Sequence, residues 1–92
     1  MKKGDRAGAI YRINRRTSTL TVGGFGEYQG EKIEPGKLQI GPMDNIIKLD
    51  NGKELDTNTC YSWGTEEIIK QVIQDHKKRS YTIVPENKDR NM

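Results

Sequence analysis

The chain has 92 residues, with 16 Lys plus Arg against 13 Asp plus Glu, a net charge of +3, a pI near 9.1 and a mean hydropathy of −0.92. That length bounds it to one domain, and 32% hydrophobic content is thin for a domain that sheds only about 60 to 65% of its unfolded surface. One cysteine excludes an internal disulfide framework, one histidine leaves a structural zinc site short of its usual ligands, and the modest basic excess lacks the lopsidedness of a DNA-coating domain.

Met1 to Arg6 is polar. The first organised run is Gly8 to Asn14, where Ile10, Tyr11 and Ile13 suit a strand; alternation would turn Tyr11 and Ile13 one way and Arg12 outward. Arg15 and Arg16 fall in a turn. Thr17 to Val22 then alternates threonines with Leu20 and Val22, a period of two that makes a second strand and closes a hairpin.

Gly23 to Glu31 follows, with four glycines in eight positions interleaved with Phe25 and Tyr28. Glycine lets a backbone approach a ligand or another chain closely, and the two rings offer flat faces. The segment reads either as a glycine-rich bend with its rings in the core or as a wall presented to something planar or anionic. Ile33 suggests a short edge strand, Pro35-Gly36 a turn, Leu38 and Ile40 another short strand, and Gly41-Pro42 a break.

Asn45 to Leu49, then Asp50-Asn51-Gly52, is a hairpin signal, because Asn-Gly supplies the positive φ of a tight turn. Its partner strand starts at Lys53 and runs to about Asp56, extending toward Tyr61. Trp63-Gly64-Thr65-Glu66-Glu67 reads as a helix start, with Thr65 as cap and two carboxylates at the positive end of the dipole. Ile68, Ile69, Val72, Ile73 and His76 form one apolar stripe, and Lys77, Lys78 and Arg79 crowd the far end. Ser80 to Val84 is a last strand stopped by Pro85, and residues 86–92 lack apolar content to dock them, so 1–85 is the expected domain. The fold class expected is α+β: a small antiparallel sheet or SH3-like partly open barrel with one amphipathic C-terminal helix.

For chemistry, a nucleophile–base pair would have to use His76 or Cys60, and neither has a local partner for that role. No Gly-Lys-Ser or Gly-Lys-Thr follows the glycines. No catalytic residue, metal or cofactor is expected. Flat rings among basic and hydroxylated side chains point instead to binding, since bases stack on such rings for about 1 to 3 kcal/mol each and arginine pairs with phosphate oxygens. The ligand-contact candidates are Tyr11, Arg12, Arg15, Thr21, Phe25 and Tyr28. Each ring taken singly is more often core than platform, Trp63 most of all, and Arg15 and Arg16 read as well as solvated turn residues. A thin core also suggests that copies share apolar faces, so a homo-oligomer, dimer or tetramer, is expected. No run is long and apolar enough for a signal or membrane span, which places the protein in the cytoplasm.

Four blocks, Gly4-Asp-Arg-Ala-Gly-Ala-Ile10, Gly26-Glu-Tyr28-Gln-Gly30-Glu31, Leu49-Asp-Asn-Gly-Lys53 and Trp63-Gly-Thr-Glu-Glu67, together resemble a family of small phage and bacterial proteins with a Gly-aromatic-Gly-x-Tyr-x-Gly-acidic signature. That family is similar to the phage anti-CBASS nucleotide sponges. The resemblance implies sequestration of a cyclic dinucleotide messenger such as 3′,3′-cGAMP without cleavage, as phage counter-defence in the host bacterial cytoplasm. Thr59-Cys-Tyr-Ser62 departs from the pattern, being poorer in cysteine and tryptophan. The competing reading is a small basic barrel that binds RNA, DNA or a host protein through Arg15, Arg16 and the basic helix end.

Overall fold

The computed structural model describes residues 1–31 and 45–85. The expected strands at Ile33 and at Leu38 to Ile40, the Pro35-Gly36 turn, the Gly41-Pro42 break and the tail at 86–92 lie outside the described residues. Six strands are described: β1 (Arg6–Asn14), β2 (Thr19–Glu31), β3 (Asn45–Leu49), β4 (Glu54–Asp56), β5 (Ser62–Thr65) and β6 (Thr82–Val84), with one helix, α1 (Glu66–Lys78). The sheet runs β4-β3-β2-β1-β5, with β6 paired parallel to the start of β2 and every other pairing antiparallel. It does not close on itself, so the fold is α+β with a partly open sheet.

The glycine-rich segment is no bend. Gly23 to Glu31 is the second half of a continuous 13-residue strand. Its glycines admit close neighbours: the Phe25 ring lies over Gly8, its cross-strand partner, where a Cβ would sit 2.6 Å from Phe25 Cδ1. Gly26 faces Leu49 across the β2–β3 pair, where a Cβ would stand 2.6 Å from Leu49 Cα and collide with the carbonyl of Lys48.

Two cores lie on the two sides of the sheet. Ala7, Ala9, Tyr28, Ile47, Leu49 and Leu55 form one, with Cys60 and Trp63 packed against it. Ile10, Leu20, Ile69 and Ile73 form the other under α1, joined by Ile13, Val22, Phe25, Val72, Tyr81 and Ile83. Trp63 pairs with Ala9 across β5–β1 and its ring stacks on Tyr28 at 5.7 Å and 19°. The small side chains of Ala7 and Ala9 leave room for these two rings. Trp63→Ala is expected to cost about 3 kcal/mol through lost packing, read as a shift in the urea midpoint at constant slope.

Local chemistry sets the joints. Asn14 Oδ1 accepts from the N–H groups of Arg16 and Thr17 at 3.0 and 3.3 Å, folding the β1–β2 turn, and Ser18 takes the left-handed conformation at φ 51°. Gly52, at φ 89°, turns β3 into β4. The partner strand is shorter than its sequence suggests, because Asp56 accepts from Asn58 N–H and caps a 3-10 turn at Thr57–Thr59. Thr65 caps α1 as expected, accepting from Ile68 N–H at 3.3 Å. Trp63 and Gly64, however, belong to β5 rather than to the helix entry. Ile68 leaves the expected stripe: it is 58% exposed, and Ile69 and Ile73 carry the burial.

Arg6 ties three elements together. Its guanidinium donates two bonds of 2.8 Å to Asp50 at the β3–β4 turn and one of 3.1 Å to Glu66 at the start of α1. Asp50's carboxyl is held below its usual range by the hydrogen bonds from Arg6. The unfolded chain therefore takes the proton more readily than the folded one, so this contribution is complete above the ordinary carboxylate pKa and fades as pH falls through the folded value. The guanidinium stays charged throughout, its own proton held more firmly by Asp50 and Glu66. Between about pH 5 and 2.5 the melting temperature of Asp50→Asn is expected to fall less steeply than that of the parent.

Candidate functional site

The site begins with a break in the strand pairing. Ile10 pairs with Val22 and Arg12 with Thr21, so Tyr11 is an extra residue in β1, while Gly23 is extra in β2 between Ala9–Gly24 and Ile10–Val22. Such bulges bend both strands and change which side a residue serves. Ile13 consequently joins Ile10 in the core under α1, where simple alternation had grouped it with Tyr11. The bulge also exposes two successive carbonyls to one donor: Tyr61 N–H bonds Ile10 O at 2.9 Å and Tyr11 O at 3.2 Å. This fixes Tyr61 beside the bulge, with the residue 62% exposed.

Between the bulged end of β1, the loop before β5 and the later turns of α1 lies a cleft of about 480 Å³, within the roughly 300–1,000 Å³ of small-molecule sites. Ile10, Ile13 and Val72 give it apolar lining; Arg15, His76 and Arg79 are basic or able to become so; Tyr61, Tyr81 and Ser62 complete it. No carboxylate is among these lining residues. An anion with a flat apolar part matches this set: guanidinium groups for charge, rings for stacking, a hydroxyl for a neutral hydrogen bond.

The end of α1 assembles this corner. Arg79 N–H returns to the carbonyls of His76 and Lys77, Ser80 turns through φ 68°, and Tyr81 N–H bonds His76 O at 3.0 Å. Thr82 N–H then joins Ser18 O at 2.8 Å and starts β6. Tyr81 thereby meets His76 edge to face, ring centres 4.8 Å apart. His76 Nδ1 lies 2.8 Å from Val72 O; a carbonyl only accepts, so Nδ1 carries the hydrogen.

Of the residues predicted from sequence, Arg15 alone lines this cleft. Tyr11 is half-buried and Arg12 exposed, the guanidinium carbon 5.4 Å from the Tyr11 ring centre. Phe25 lies half-buried over Gly8, with Lys70 Nζ 5.9 Å from its centre. Thr21 is buried, and Tyr28 is a core residue whose hydroxyl donates to Asn45 Oδ1 at 2.6 Å. Tyr61, Ser62, His76, Arg79 and Tyr81 fall outside the predicted set. Their signal was a histidine and an arginine three apart at a helix end, followed by a tyrosine. A second hollow, of about 390 Å³, is lined by Asp5, Arg6, Thr65, Glu66 and Glu67; its arginine is committed to carboxylates, so it has no charge to offer an anion.

Fold and cleft together define a small α+β protein with a partly open sheet and a basic, ring-lined hollow at one end of its helix. Comparison with protein-family models, curated proteins and solved structures finds no match. No helix among the described residues is long and apolar enough to cross a membrane.

Proposed function

We propose that this protein binds a cyclic dinucleotide such as 3′,3′-cGAMP in the basic cleft and holds it chemically unchanged, acting as a phage counter-defence sponge. The observation that carries the reading is the cleft's lining: two arginines, a histidine and two tyrosines around apolar side chains, without a carboxylate. A ligand of about 45 heavy atoms, at about 0.3 kcal/mol per atom, would reach roughly −13 kcal/mol, near nanomolar. A second copy closing the cleft from outside would supply part of that enclosure, in keeping with a homo-oligomer.

The test is to load the purified protein with 3′,3′-cGAMP, remove free ligand, and heat to release what is retained. Intact messenger in the released fraction supports sequestration. Linear product means catalysis, and no retention, with salt-sensitive binding to RNA or DNA, favours the polymer reading.

A further inference from the structure

We infer that His76 is a third anion contact in the cleft, and that the protein takes up a proton when it binds a phosphodiester, so that it retains its ligand more tightly as pH falls. This rests on the cleft being the ligand site. The ring's two nitrogens have separate duties. Nδ1 is occupied in donating to Val72 O, so Nε2, on the other edge of the imidazole, is the atom left for the cleft that His76 lines. In the neutral ring, with its hydrogen on Nδ1, Nε2 is an acceptor and opposes a phosphate oxygen; protonated, it becomes a charged donor to the same oxygen.

The groups that line the cleft with His76 set its surroundings. From the end of α1 there is Arg79, from the β1–β2 turn Arg15, from the segment before β5 Tyr61, and from the segment before β6 Tyr81, whose ring meets the imidazole edge to face. Both charged side chains that line the cleft with it are cations, so no counter-charge to an imidazolium stands among the lining residues. A phosphodiester entering between them brings the negative charge to which a protonated Nε2 donates, so ligand and proton favour each other. Histidine is the side chain whose ordinary titration falls between pH 5 and 8, and this chain has one. The diester keeps its single charge over that range, so the ligand supplies none of the pH dependence.

Calorimetric titration of the whole chain with 3′,3′-cGAMP at pH 7.5 and 5.5, in two buffers of different ionisation enthalpy, tests this. The parent is expected to bind about fivefold or more tighter at the lower pH with net proton uptake, and His76→Gln to change less than about twofold with none. Equal affinity of the parent at both pH values, with no proton uptake, would overturn the inference while leaving sequestration standing. If His76→Gln does not fold, proton uptake by the parent decides the matter. Cyclic AMP, a simple phosphodiester, is titrated in parallel: binding of it with proton uptake, but none of 3′,3′-cGAMP, would remove the sequestration reading and keep the role of His76. Failure of both ligands to bind would overturn both.

Discussion

Replacing Gly26 by alanine is expected to cost about 3 kcal/mol or more, a large part of the roughly 5 to 15 kcal/mol that holds a domain folded. The cause lies in the backbone. The added methyl would strike the carbonyl of Lys48 and stand 2.6 Å from Leu49 Cα, and neither is the end of a flexible side chain that could swing away. Relief would require β3 to part from β2, where Leu49 is buried in the core and its register holds β4 in place. Gly52→Ala is the contrasting change, since the space around it is open and its cost is confined to the positive φ of 89°. Urea unfolding of the two variants separates them: a Gly26→Ala protein within 1 kcal/mol of the parent would mean that the β2–β3 contact is looser than described.

The second large effect concerns binding. Arg15→Ala combined with Arg79→Ala is expected to weaken 3′,3′-cGAMP retention by at least about a hundredfold, because hydrogen bonds to charged groups are worth about 1.5 to 3 kcal/mol each. Both residues are exposed, so stability should stay within about 0.5 kcal/mol of the parent. Equilibrium dialysis at fixed ionic strength measures the loss. A double variant that holds its ligand within threefold of the parent would place the site elsewhere, with Tyr11 and Arg12 on the bulge the next residues to change.

The local signals in the chain were legible where a single residue's chemistry decides the outcome. Asn51-Gly52 marks its turn, Thr65 its helix cap, and the alternation around Leu20 its strand, because a positive φ, a free hydroxyl and a period of two are properties of a few consecutive residues. The glycine segment was harder. Its composition allows a bend or a close approach, and only Lys48 and Leu49, more than twenty positions away, select the second. The strands at 33 to 40 lie outside the described residues.

For the site, sequence chemistry indicated the materials without their meeting place. Arginines, tyrosines and a lone histidine suggested an anion with flat faces, yet Tyr28 entered the core and Phe25 settled over Gly8. The register slip at Tyr11 and Gly23 altered which side chains share a face, and a period of two cannot register a slip of one residue.

By itself, then, the order of residues determined the turns, the helix and its cap, the α+β character and the basic aromatic inventory, since each follows from contacts within a few positions. The tertiary structure decided that β6 returns beside β2, and that the bulge carbonyls catch Tyr61 at the edge of the hollow beside it. Those outcomes depend on hydrogen bonds between residues fifty or more positions apart, Tyr61 to Ile10 and Thr82 to Ser18, whose partners become defined only when the whole sheet has formed.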